Sequence, residues 1–180
     1  MITRRTFLKT VAASAPLIIS ADALGATSPG ANDIVNVAFI GLGGRCNDIA
    51  IACLGMKGIR VAAVCDCFRP RVDSSLAYLE KNGVQAKGYT DFREMIEKEK
   101  LDGVMVETTT HARAWIACHA MAMGVDAYIE KPMCLTIAEG RHMVNVARKY
   151  KRVTQVGTQQ RSIALNNWAS DLVKNGALGK

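Results

Sequence analysis

Five short apolar runs, Val35–Ile40, Ile59–Cys65, Leu101–Val106, Val125–Ile129 and Val153–Val156, and one shorter strand, Lys87–Tyr89, punctuate the chain from residue 35 onward. Each apolar run has the length of a buried strand, and valine recurs in all five. Between them the apolar residues spread out to a helical period. A helix starts by Cys46, and others are expected over about Pro70–Lys81, from Asp91 to near Lys100, over about Ala112–Met123, from Thr136 onward and over about Ala164–Lys174. Two of these open on an N-cap residue with glutamate three positions later, Asp91 with Glu94 and Thr136 with Glu139. Ile137, Gly140, Val144 and Ala147 then fall on one helix face. No internal repeat interrupts the alternation. Short helices crossing between apolar strands define an α/β chain with a doubly wound parallel sheet.

In such a sheet, ligands gather at the carboxyl ends of the strands. Those ends are Gly41–Arg45, Asp66, Thr108–His111, Glu130–Pro132 and Gly157–Arg161, and they hold nearly all the unusual polar residues. The first is the most telling. Gly41, Leu42, Gly43, Gly44 and Arg45 join a strand to a helix whose free N–H groups point back at the turn, which builds a phosphate site. Gly41 permits the tight turn, and Gly43 lets a pyrophosphate approach the backbone. Cys46 stands where the dinucleotide fingerprint has glycine or alanine. Asp66 closes the second strand 20 residues after Cys46, the position of an acid that accepts from ribose hydroxyls. Together these predict a Rossmann dinucleotide-binding domain over residues 34–180. Asp66 favours NAD, while Arg69 and Arg71 would suit the 2′-phosphate of NADP.

Charge and cysteines narrow the partners. The formal charge is +7 over 180 residues, of which Arg4, Arg5, Lys9 and Asp22 supply +2. The cluster Arg148, Lys149, Lys151 and Arg152 reads as a solvated helix end, not a nucleic-acid footprint. Six cysteines suggest disulfides only in a small secreted protein, and Cys65 and Cys118 sit in apolar runs as packed side chains do. No Cys/His spacing matches a zinc site, so no metal is expected.

The N-terminus has its own pattern. Thr3-Arg4-Arg5-Thr6-Phe7-Leu8-Lys9 resembles the twin-arginine export consensus, followed by a mildly apolar stretch and Ala21-Asp22-Ala23. Residues 1–23 therefore read as a twin-arginine signal peptide handled by the export machinery, and residues 24–33 as a linker. The apolar stretch is too short for stable membrane insertion. A periplasmic or otherwise exported location is expected.

Ala38-Phe39-Ile40-Gly41-Leu42-Gly43-Gly44-Arg45, Glu130-Lys131-Pro132 and Val156-Gly157-Thr158-Gln159-Gln160-Arg161-Ser162 together resemble the Gfo/Idh/MocA oxidoreductases from about Val35 to Lys180. The resemblance implies a nicotinamide-dependent oxidoreductase acting on a sugar or polyol, homo-oligomeric at full length. Lys131 would lie beside the nicotinamide and the substrate hydroxyl. Glu130 would pair with Lys131 or the ribose. His111 matches a family histidine on the nicotinamide side, within Thr108-Thr109-Thr110-His111, and a helix cap is its other reading. Arg113 stands where the family often has a second histidine. Arg161 would meet substrate or form a structural salt bridge. The family's substrate domain normally follows Gly176-Ala177-Leu178-Gly179-Lys180, so the chain reads as the cofactor half, inactive alone. Its uncovered sheet face is expected to be apolar. Two other outcomes stay open under the resemblance: an NAD-dependent glycosidase using transient oxidation, and a non-catalytic dinucleotide sensor.

Overall fold

The computed structural model describes residues 33–179. The signal peptide and nearly all of the linker read from the sequence lie outside them. The body from Val35 onward runs β1 (Val35–Ile40), α1 (Gly44–Leu54), β2 (Ile59–Cys65), α2 (Arg69–Lys81), β3 (Lys87–Tyr89), α3 (Phe92–Lys98), β4 (Gly103–Val106), α4 (Thr110–Ala122), β5 (Asp126–Glu130), α5 (Ile137–Tyr150), β6 (Thr154–Gly157), a 3-10 turn (Gln159–Ser162) and α6 (Ala164–Lys174). All pairings are parallel, in the order β3-β2-β1-β4-β5-β6. The chain winds outward from β1 to β3, crosses back through α3, and winds outward again from β4. The winding therefore reverses between β1 and β4, where a doubly wound sheet opens a crevice.

Side-chain alternation divides the core into two layers. Ala38, Ile40, Val104, Val106, Ala127 and Ile129 face α3, α4 and α5. Val37, Phe39, Val61 and Val64 face α1 and α2. One register shift lies between β1 and β2, where Val37 pairs with Val61 and Ala38 with Ala63. The extra residue, Ala62, resets the alternation so that Val64 joins Val61 on the α1 side.

Most expected elements form, with corrections at their ends. The reciprocal cap at Thr136 forms: its hydroxyl accepts from the Glu139 N–H (3.2 Å), and the Glu139 carboxylate accepts from the Thr136 N–H (3.2 Å). At Asp91 only half of it forms. Asp91 accepts from the Arg93 N–H (2.9 Å), while Glu94 turns to Lys98 four residues on. β4 starts at Gly103, two residues later than expected, although Asp102 just before it already bonds to both sides: its N–H donates to the Asn36 carbonyl (2.9 Å), its carbonyl accepts from the Asp126 N–H (3.0 Å), and its carboxylate accepts from the backbone and side-chain nitrogens of Asn36. α4 starts two residues early, at Thr110, which puts His111 in its first turn. On α5, Gly140 is buried but Ile137, the first helical residue, is 93% exposed, and Met143 is buried in its place. On the α1 side of the sheet, β5 and β6 carry Tyr128, Glu130 and Gln155, of which Glu130 is buried, Tyr128 half-buried and Gln155 exposed, so the open part of this face is not the apolar one expected. Exposed apolar side chains gather instead on α6, at Leu165, Trp168, Leu172 and Val173.

Phe39 is wholly buried at the centre of the α1 layer. Phe39→Ala is expected to cost about 3–5 kcal/mol. Thr136→Ala, which removes only a cap, should cost about 1 kcal/mol. Urea unfolding of both variants beside the wild type checks the ranking.

Candidate functional site

The crevice between β1 and β4 is a real cavity of about 510 Å³. Gly41, Gly43, Asp66, Glu107, Thr108 and His111 are among its lining residues. Phe92, Ala112, Trp115 and Ile116 give one wall an apolar character. Five strand ends predicted to carry chemistry thus contribute unequally: β1, β2 and β4 build this groove.

Gly41 fixes the groove's floor. Its φ is +93°, a region L side chains avoid, and a Cβ there would stand 2.7 Å from the Thr108 nitrogen and 2.8 Å from its Cα. The first turn and the exit of β4 therefore touch backbone to backbone. At Gly43 the situation is the opposite, because nothing lies within 4 Å of where a Cβ would be. Gly43 is the N-cap of α1 and has no side-chain partner there, so the helix presents free N–H groups to open space. That is the approach a pyrophosphate needs, and the residues present fit a dinucleotide.

Asp66 is 7% exposed at the end of β2. Its Oδ2 accepts from the Leu42 N–H (2.8 Å) and its Oδ1 from the Phe68 N–H (2.9 Å). Arg71 lies 3.7 Å from Oδ2. The carboxylate is thus aimed into the groove by the glycine turn itself, with lone pairs left for a ribose. Cys46, at the variant fingerprint position, packs as a small hydrophobe, and burial pushes its thiol up to about 12.

Glu130 faces inward, not toward Lys131 as the first of its expected pairings had it. Alternation along β5 sends Tyr128 and Glu130 to the α1 side, and Glu130 Oε1 accepts from Arg45 Nε (3.2 Å). Only 3% of Glu130 is exposed, and its Oε2 has no hydrogen-bond partner. Gly157, opposite on β6, leaves room for this pair: a Cβ there would collide with Glu130 Oε2 and the Tyr128 hydroxyl.

His111 is exposed at the start of α4, with Nδ1 3.1 Å from the Thr109 hydroxyl. Lys131 is exposed just past β5, joined to Pro132 by a cis peptide, and does not line the groove. Arg161 sits on the 3-10 turn and lines a separate open depression with polar residues of α6. The structure therefore gathers Gly41, Gly43, Asp66, Thr108 and His111 in one groove, pairs Arg45 with Glu130 outside its lining, and leaves both Lys131 and Arg161 out of it. Among the described residues, no group of three or more His, Cys, Asp or Glu side chains could hold a metal. All six cysteines are free.

Two residues at this edge carried no role in the sequence reading. Arg113 is buried and donates from Nε to the Thr108 carbonyl (2.8 Å) and from Nη1 to the Pro132 carbonyl (2.7 Å). It ties the loop that carries His111 to the turn that carries Lys131. Glu107 is 7% exposed, and neither of its carboxylate oxygens has a partner. Burial pushes its carboxyl up to about 7, the Glu130 charge adds to this, and Arg45 and Arg113 oppose it. The available signal for Glu107 was the one that picked out Asp66, an acid closing an apolar strand.

Comparison with known proteins agrees with this geometry. Residues 35–158 match the model of the Gfo/Idh/MocA oxidoreductase family with its NAD-binding Rossmann fold. The chain belongs to that family and carries its NAD-binding domain. It is 28% identical over 125 residues to a glycosyl hydrolase family 109 protein of Shewanella sp. strain W3-18-1, covering 67% of this chain and 27% of that protein. It is 25% identical over 126 residues to inositol 2-dehydrogenase of Salmonella typhimurium, covering 69% and 37%. The structure of myo-inositol 2-dehydrogenase from Lactobacillus plantarum superposes with a TM-score of 0.73 at 25% identity, covering 82% and 43%. The matched stretch thus covers less than half the length of each.

Gly41→Ala tests the floor of the groove. It should unsettle both the glycine turn and Thr108, lowering Tm by several degrees and weakening NAD binding at least about tenfold. Gly43→Ala, with open space around it, should leave Tm unchanged and weaken only binding. Thermal melts with and without NAD separate the two.

Proposed function

We propose that the chain is the cofactor-holding part of an NAD-dependent dehydrogenase whose substrate is a sugar or polyol. The carrying observation is the shared groove at the winding reversal, where the open backbone at Gly43 stands beside the buried carboxylate of Asp66. Gly41 to Arg45 would hold the pyrophosphate on backbone N–H groups and the α1 N-terminus. Asp66 would accept from the adenosine ribose and repel a 2′-phosphate. When bound, the nicotinamide accepts or returns a hydride. Lys131 holds the substrate hydroxyl and stabilises its oxygen as the proton leaves, with His111 on the neighbouring strand end. Arg113 keeps those two ends in register. The inositol dehydrogenases among the similar proteins support a polyol substrate.

A second reading, hydrolysis of a glycoside through transient oxidation, is favoured by the likeness to a glycosyl hydrolase family 109 protein. Net release of NADH with sugars or polyols marks the first reading. Release of a sugar without net NADH marks the second.

Export by the twin-arginine route belongs to the same proposal, supported by Arg4, Arg5, Phe7 and Leu8. A user of a cytoplasmic cofactor has reason to fold around it before leaving. Assembly into a homo-oligomer is supported by the exposed apolar side chains of α6.

Titration with NAD and NADP checks the cofactor assignment. NAD should bind more tightly, and Asp66→Ala should lose about 10–100-fold in NAD affinity along with the preference. Equal or tighter NADP binding, unchanged in Asp66→Ala, contradicts it. In the active protein, Lys131→Ala should lower kcat by roughly 10²–10⁴-fold. For export, Arg4→Lys/Arg5→Lys should abolish accumulation outside the cytoplasm, read by cell fractionation. Equal amounts of mature protein outside contradict the route.

A further inference from the structure

Glu107 has no task in the reading above, yet it is a groove-lining carboxyl that is more than nine-tenths buried and wholly unpartnered. Its charged and titratable neighbours are few. Arg45, Cys46 and Cys53 face it from α1, Tyr128 and Glu130 from β5, and Arg113 from α4. The two cations are engaged elsewhere. Arg45 donates its Nε to Glu130, and Arg113 donates to the carbonyls of Thr108 and Pro132. Burial holds the two thiols and the Tyr128 phenol neutral, each displaced upward. A buried carboxylate left without a partner is costly, so the group takes a proton instead.

We propose that Glu107 links cofactor binding to pH, taking up a proton from solvent when an anionic dinucleotide settles on the glycine turn. This rests on the reading of the groove as a dinucleotide site. The electrostatics run one way. Arg45 lies in the first turn of α1, beside both the phosphate site and the Glu107–Glu130 pair. A pyrophosphate adds negative charge there and competes for the same guanidinium and the same helix end. Both effects disfavour ionised Glu107, so its titration point is higher in the complex than in the free protein.

The sign of the pH dependence follows. Below the free protein's titration point, about 7, Glu107 is neutral in both states and pH has no effect through it. Above that point, the free protein is ionised and must regain a proton to bind. Affinity then falls by up to about tenfold per pH unit until the titration point of the complex is reached. Histidine is the other side chain whose charge changes near neutrality, and His111 lines the same groove. A test has to separate the two.

The test is calorimetric titration of the purified protein with NAD at about pH 8 and about pH 5.5, in buffers of low and high ionisation enthalpy. The buffer dependence of the heat counts protons. The wild type should take up a large part of one proton at the higher pH and almost none at the lower. Glu107→Gln should bind with no uptake and a flat pH profile, while His111→Asn should keep the uptake. No uptake by the wild type at the higher pH overturns the proposal. So does uptake that persists in Glu107→Gln or vanishes in His111→Asn. If Glu107→Gln does not fold, the wild-type count and the His111→Asn comparison decide. NAD binding without proton uptake leaves the dinucleotide reading standing, whereas no NAD binding at either pH overturns both.

Discussion

The carboxyl edge of this sheet depends on one close approach. The backbone of Gly41 lies so near the backbone of Thr108 that no side chain can stand between them. Two strands that neighbour each other in the sheet but are widely separated in sequence are thereby clamped at their exits. The turn after β1 is held down, α1 starts at a fixed angle, and its N-terminus opens onto the groove. The Leu42 N–H, presented by that turn, then fixes the Asp66 carboxylate at the end of β2. Helix N-terminus, open backbone and the buried Asp66 carboxylate are positioned by one contact between two main chains.

Behind the groove, the second layer of control is electrostatic. Alternation along β4 and β5 sends Glu107, Tyr128 and Glu130 to the side of the sheet that α1 covers, and Arg45 from α1 reaches down to them. Gly157 on β6 has no side chain, so Glu130 and Tyr128 can occupy the space beside it. On the other side of the sheet, Arg113 bridges the Thr108 and Pro132 carbonyls. Arg45 thus ties the start of α1 to the end of β5, and Arg113 ties the exits of β4 and β5 to each other. Asp66, Glu107 and Glu130 are buried at these strand ends, while Lys131 and Arg161 meet solvent.

Much of this was legible in the sequence because it is local. Strand–glycine–helix order, an acid at the end of β2 and the Thr136–Glu139 cap each depend on residues a few positions apart. The parallel, doubly wound sheet followed from the alternation of short helices with strands, while the order of its strands came from the structure. What escaped depends on which face a residue takes. Glu130 reads as a partner for its neighbour Lys131, but one step along a strand reverses direction, so it meets Arg45, 85 residues away. Glu107 falls to the buried face by the same alternation, and a polar residue at a strand end gives no local sign of that. Arg113 departs from the family's usual residue, and its two carbonyl acceptors come from different loops. Ile137 kept the helical period yet overshot the core, because periodicity marks a face but not how far along the helix that face is covered.

On the proposed reading, the clamp between Gly41 and Thr108 builds a dinucleotide site running from the α1 N-terminus to Asp66. A crystal structure of the protein with NAD tests it most directly. Pyrophosphate oxygens are expected on the backbone N–H groups of the turn from Gly41 to Arg45, with an adenosine ribose hydroxyl donating to Asp66. A cofactor bound elsewhere on the sheet, or one that leaves Asp66 bonded only to Leu42 and Phe68, would contradict it.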